Sequence, residues 1–269
     1  MMREMPAEHL RVRIFATREL MGQAAAEEVA RRIVEAITST GKASVLFAAA
    51  PSQDDFLAAL IKHAEIDWAR VFCFQPDEYH TLPLDAPQRF DNWLDSRIMS
   101  RVKPAAFFRL VPEEGMSVEA IAKRYAELLS EYPLDVSCIG IGENAHIAFN
   151  DPPVADFEDP LVVKEVEMDE VCRNQQVHDG AFPHLEAVPR TAVTMTIPAI
   201  LAAPHISCVV PTVRKAQAIY DSVHAPVSTR TPSSILRRVP GSIMCRRRRG
   251  IIALITRRVV ADVAVGQSW

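Results

Sequence analysis

The chain has 269 residues, 49% of them apolar, with 34 acidic against 30 basic side chains and a formal net charge of −4. That length and apolar share supply one sizeable core. Eight of the arginines fall between Arg237 and Arg258, so the rest of the chain is clearly acidic, which excludes a basic, nucleic-acid-binding body.

In chain order, Arg11 to Phe15 alternates polar and apolar residues and predicts a first strand. Thr17 is placed to cap a helix running to about Thr38, with Val29, Ile33, Val34 and Ile37 on one face and Gly41 as its stop. Ala43 to Ala48 is apolar except for Ser44 and predicts a strand covered on both faces. The loop Ala49 to Gln53 leads into a helix near Asp54, and Arg70 to Phe74 predicts a third strand. Helices are expected near 88–102 and 117–132, and a strand over Leu134 to Ile141. A long irregular stretch follows, from Pro152 to Pro189. Strands at Ala192–Thr196 and Ile206–Val210 then bracket a short helix, and further helices are expected over 213–223 and 232–238. Strands alternating with helices imply a parallel sheet with right-handed crossovers, hence one α/β domain.

No apolar stretch approaches the roughly 20 residues that span a bilayer. The charged opening, with Arg3, Glu4, Glu8 and Arg11, lacks the apolar run of a signal peptide. Five scattered cysteines (Cys73, Cys138, Cys172, Cys208 and Cys245) include no C-x-x-C pair, which suits reduced thiols in a cytoplasmic protein better than disulfides or a zinc site. The fold is expected to occupy 1–244. The segment 245–269, opening on Cys245 and four arginines, breaks the pattern. It is read as a solvated segment or as sequence foreign to the fold, rather than as a patch for nucleic acid or lipid.

Three of the predicted strands end in polar loops: Ala49–Gln53, Gln75–His80 and Gly142–Asp151. Parallel strands deliver such loops to one sheet edge, where ligands of α/β proteins bind. The first loop, Ala48-Ala-Ala-Pro-Ser-Gln53, precedes a helix and offers backbone N–H groups and the Ser52 hydroxyl, although Pro51 has no N–H to give. The second carries Asp77, Glu78 and Tyr79, and a carboxylate set against an apolar strand end has its pKa raised toward that of a useful base. The third carries His146 with Asn144 and Asp151 as orienting partners, which suits proton transfer. Arg173 and Lys215 are cations available to an anionic ligand. No P-loop, H-E-x-x-H or dinucleotide fingerprint occurs in a fitting context, and neither metal nor cofactor is expected.

The segments Gln75-Pro-Asp-Glu-Tyr-His-Thr-Leu82 and Gly140-Ile-Gly-Glu-Asn-Ala-His-Ile-Ala-Phe-Asn-Asp-Pro152 resemble those of glucosamine-6-phosphate deaminases, also called isomerases, over roughly residues 10 to 240. The resemblance implies a three-layer α/β/α sandwich with a mostly parallel, Rossmann-like sheet, and a metal-free conversion of an amino-sugar phosphate to a ketose phosphate and ammonia. Asp77 would move a proton between C2 and C1. His146, oriented by Asp151 and Asn144, would open the sugar ring. Ala49, Ala50 and Ser52, with Arg173 and Lys215, would hold the 6-phosphate, and Glu78 joins the substrate-binding set. Members are monomers or larger homo-oligomers, so a homo-oligomer stays open; neither nucleic acid nor membrane is an expected partner. The chain departs from the pattern in its phosphate loop, which lacks the usual Gly and Thr. Asp151 stands where many members have Glu, Asn144 where some have Asp, and Ala145 where the loop has Gly. If position 145 needs a positive φ, alanine there is strained. The alternatives are 6-phosphogluconolactonase, which needs no carbon base, and a sugar-phosphate sensor without catalysis.

Overall fold

The structure is a computed structural model that describes residues 3–246. The arginine-rich segment singled out above therefore lies, from residue 247 on, outside the described residues.

The chain opens with β1 (Arg3–Ala7), β2 (Leu10–Phe15) and the long helix α1 (Arg18–Thr40). The Thr17 hydroxyl caps α1 by accepting from the Leu20 N–H, and Gly41 ends it in the left-handed region at φ 83°, as expected of both. Next come β3 (Ala43–Phe47), α2 (Asp54–Leu60), β4 (Val71–Phe74) and the two-residue β5 (Asp77–Glu78). Then α3 (Phe90–Leu94) passes through a π turn into α4 (Ser100–Val102), so the helix expected over 88–102 is one wound stretch with a loosened middle. The short β6 (Ala106–Phe108), α5 (Val118–Glu131) and β7 (Val136–Ile139) follow.

Two elements occupy the stretch expected to be irregular: β8 (Val163–Glu167) and α6 (Glu170–His178). Neither carries a clear apolar period. Only Val163 and Val166 of β8 are buried, and α6 buries Gln175 and Gln176 beside Cys172. The remainder is β9 (Thr191–Met195), α7 (Ile197–Leu201), β10 (His205–Val210), α8 (Ala216–His224) and β11 (Gly241–Arg246). Residues 232–238 form a 3-10 turn rather than an α-helix. Strand β11 runs two residues past the expected limit at 244, so Cys245 and Arg246 lie within the fold.

The main sheet has eight strands in the order β1-β2-β11-β10-β7-β3-β4-β6 and is parallel throughout except for the antiparallel edge strand β1. Alternate strand residues feed opposite faces. In β3, Leu46 joins a core shared with α5, α7 and α8, while Ala43, Val45 and Phe47 join one shared with α1, α2 and the π turn. The expected three-layer sandwich is thus present. From β3 the chain proceeds outward to β4 and β6, whereas β7, β10 and β11 extend the sheet the other way. The order therefore reverses between β3 and β7, and a crevice opens beyond their carboxyl ends. A small antiparallel sheet, β5-β9-β8, stands over this edge, with Tyr79, Phe90, Phe149 and Phe182 clustered beneath it.

Candidate active site

A cavity of about 540 Å³ fills that crevice. Its floor is the loop after β3 (Ala48–Gln53), Pro76 and Asp77 after β4, and Ile139–Ile141 after β7. His146, Gln175, Gln176, Lys215, Phe90 and Trp93 also line it. The three polar loops singled out in the sequence do converge.

Asp77 lines the cavity yet is only 7% exposed. Burial, and then the neighbouring Glu78 carboxylate, push its pKa well above the ordinary carboxylate value. Glu78 faces elsewhere. It is fully buried outside the cavity lining and accepts from the N–H groups of Tyr79, Phe90 and Asp91 and from the Gln75 amide. Its carboxylate thus anchors the start of α3 and is not placed for direct substrate contact. Burial and Asp91 raise its pKa to about 7, while Arg89 and the two helix N–H groups pull it back.

His146, 7% exposed, also lines the cavity. Its Nδ1 lies 2.9 Å from Oδ1 of Asp151, off the line of an ideal hydrogen bond. The loop that holds it is tightly wound. Gly142 backs directly onto the imidazole, and a Cβ there would stand 2.2 Å from Cε1. Ala145 and Ala148 adopt φ values of 67° and 50°, so the strain anticipated at Ala145 is present, at about 1–2 kcal/mol per residue. Asn144 supports Asp151 instead of touching the ring: its Nδ2 donates to Asp151 Oδ1 at 3.0 Å, and its Oδ1 accepts from the His146 N–H. Asp151 is fully buried, and burial alone would raise its pKa. The His146 ring, the Asn144 amide and the Asp169 N–H outweigh burial and hold it below the ordinary value. The Cys172 thiol completes a close group with these two, the ligand atoms of His146, Asp151 and Cys172 all lying within 4.8 Å of one another.

At another part of the cavity wall stands Lys215. It is 6% exposed, and its ammonium has no hydrogen bond or ion pair among the described residues. Burial lowers its pKa, with Asp179 and Glu143 acting the other way. A buried cation facing a cavity without a partner is a receptor for an anion. Ala49, Ala50 and Ser52 line the same cavity. Their loop is held by Arg18, which donates to the Pro51 carbonyl at 2.9 Å and to Asp55 at 2.6 Å. Arg173, grouped with these in the sequence, lies outside the lining; its guanidinium donates to the carbonyls of Leu185 and Val188 and pins the loop after α6.

The sequence reading missed Gln53, Gln175, Gln176 and Asp179, which line the cavity. Gln175 accepts from the Glu143 N–H at 2.9 Å and so ties α6 to the histidine loop. The signal available was the pair of adjacent glutamines itself, since polar amides without charge at a helix's buried positions mark a wall facing a polar ligand.

Comparison with known proteins agrees with this geometry. Residues 16–244 match the family model described as glucosamine-6-phosphate isomerases/6-phosphogluconolactonase. A glucosamine-6-phosphate deaminase of Listeria welshimeri is 31% identical over 216 residues, covering 80% of this chain and 90% of that one. Another, from Lactobacillus delbrueckii, is 31% identical over 177 residues, covering 66% and 73%. The fold resembles that of a monomeric glucosamine-6-phosphate deaminase, with a TM-score of 0.80 at 24% identity over 91% of this chain and 99% of that one. It also resembles that of a 6-phosphogluconolactonase from Shewanella baltica, with a TM-score of 0.72 at 20% identity over 88% and 97%. The match includes every residue lining the cavity, and the chain belongs to the glucosamine-6-phosphate isomerase/6-phosphogluconolactonase family.

Proposed function

We propose that the protein is an amino-sugar-phosphate deaminase that converts glucosamine 6-phosphate, or a close epimer, and water to a ketose 6-phosphate and ammonia. The observation that carries the reading is that a buried carboxylate of raised pKa, Asp77, opens on the same cavity as the His146–Asp151 pair. Lactone hydrolysis needs no base at carbon; aldose–ketose interconversion does.

The residues divide the work as follows. The cyclic sugar opens when a proton leaves the O1 hydroxyl and one reaches O5, and His146, steadied by Asp151, carries it. Asp77 then removes the proton from C2, forming an enolamine, and returns it to C1. The resulting iminium at C2 takes up water and expels ammonia, leaving the ketose. Burial keeps Asp77 basic enough to hold a carbon-bound proton in transit. Lys215, with Ser52 and the backbone of the Ala49–Ser52 loop, holds the phosphate at the far end of the substrate. Five buried free thiols suit a reducing, cytoplasmic setting.

The test is release of ammonia and fructose 6-phosphate from glucosamine 6-phosphate, with galactosamine 6-phosphate and 6-phosphogluconolactone assayed in parallel. Ammonia from either amino sugar is expected. Lactone hydrolysis alone would assign the chain to the other activity in the family model, and a folded protein silent on all three would overturn the catalytic reading.

A further inference from the structure

From the grouping of a His146 ring nitrogen, the Asp151 carboxylate and the Cys172 thiol within 4.8 Å, we propose that the protein binds one thiophilic divalent cation, of the Zn²⁺ type, across its proposed ring-opening pair and is inhibited by it. Three features support the site. The donor set of one imidazole, one carboxylate and one thiolate is that of a zinc ion, and the two anionic ligands match its charge. Nδ1 of His146 lies 2.9 Å from the Asp151 carboxylate without an aligned hydrogen bond, so a cation that displaces the ring proton there meets both ligands at once. The carboxylate is already oriented from behind, by Asn144 Nδ2 on Oδ1 at 3.0 Å and the Asp169 N–H on Oδ2 at 3.0 Å. Such outer contacts hold ligands in place at metal centres.

The fit requires a small closure. Any two ligands of a tetrahedral zinc stand roughly 3.4–3.8 Å apart, given bonds of about 2.0–2.3 Å, so the widest pair here draws together by about 1 Å while His146 Nδ1 and Asp151 Oδ1, now 2.9 Å apart, part by roughly half an ångström. The thiol also loses its proton on binding. Burial, and then the Asp151 carboxylate, hold that proton tightly in the metal-free protein, so binding weakens as pH falls. His146 opens on the cavity, which gives the ion an entry path and water for its remaining position. An ion seated there occupies the imidazole lone pair and fixes the carboxylate, and ring opening stops. The binding half of this proposal is independent of the reaction; the inhibition half rests on the deaminase reading.

The experiment uses the whole protein and Cd²⁺ as probe. A 1:1 thiolate-to-cadmium charge-transfer band in the ultraviolet is expected. Cys172→Ala and Cys172→Ser, the second nearly preserving volume in case the first packs poorly, are expected to lack the band. Zn²⁺ should inhibit ammonia release by the wild type, reversibly on chelation, with sensitivity falling ~10-fold or more in whichever Cys172 variant stays folded. A band that persists in both variants would place the metal at another of the five thiols and overturn the site, as would absence of any band in the wild type. Equal Zn²⁺ sensitivity of wild type and variants would overturn the inhibitory role. Because the band needs no turnover, failure of the deaminase reading would leave the binding result standing on its own.

Discussion

In the proposed reaction Asp77 would serve at a cost to the fold. Its raised pKa means the native state keeps a proton that the unfolded chain releases. Stability therefore falls as pH rises from the ordinary carboxylate value to the raised one. Asp77→Asn should consequently lower kcat by about 10²–10⁴-fold with KM little changed, yet raise the melting temperature. The gain should widen with pH across that window, as thermal melts in a pH series would reveal. A variant with wild-type kcat would remove Asp77 from the base role. In the wild type, the acid limb of kcat/KM should lie above the ordinary carboxylate range. At Gly142, where a Cβ would stand 2.2–2.3 Å from the imidazole, Gly142→Ala must push the ring off station. A displacement of about 1 Å costs roughly 100-fold in kcat, and steady-state kinetics on the cyclic sugar would register it. The places of Asp77, His146, Ser52 and Lys215 in the cavity lining were legible because each follows an apolar strand run, where chain topology delivers it to the crevice. Glu78 and Arg173 were not, because the direction of a side chain depends on its packing. Glu78 found the N–H groups of α3, and Arg173 found two carbonyls.

Among elements, α1 was the easiest to read and α6 the hardest, for one physical reason. The 23 residues of α1 bury alanines and branched aliphatics against the sheet, so its period is written in apolar side chains. In α6 the inward positions are held by a thiol and two amides, and the amides line the cavity, so the helix shows no apolar period. One polar residue of α1 also faces inward. Glu28, 7% exposed, meets His205 Nε2 of β10 at 2.6 Å, Arg13 of β2 at 2.8 Å and the Ser242 hydroxyl of β11 at 3.2 Å. Burial alone would raise its pKa, but His205, Arg11 and Arg13 more than compensate and hold it below the ordinary value. Its contribution is therefore complete above the usual glutamate range and lost as pH falls through its lowered native value. Glu28→Gln should destabilise the fold by about 2 kcal/mol at neutral pH, since it leaves the part-buried Arg13 without its counter-charge. The gap between variant and wild type should close in acid, and denaturant titrations at neutral and acid pH would show whether it does.

On the scale of the molecule, the cavity is a meeting point of the loops after β3, β4, β7 and β10, so a ligand there braces both wings of the sheet at once. A phosphosugar at about 100 times its Kd should stabilise the protein by about 2.7 kcal/mol. Lys215→Ala should forfeit most of that and raise KM, as thermal shift with and without ligand would show; an unchanged shift would place the phosphate elsewhere. The same sheet carries a consequence for synthesis. Strand β2 is made long before β11, yet apart from the edge strand β1 its one neighbour is β11, the last strand described, paired with it along six residues. A ribosome thus releases the opening strands and α1 with their place in the sheet still vacant, and β11 must later slot between β2 and β10 as an interior strand. Closure of the main sheet waits on β11, and a nascent chain stalled before Gly241 presents two unsatisfied strand edges to any chaperone within reach.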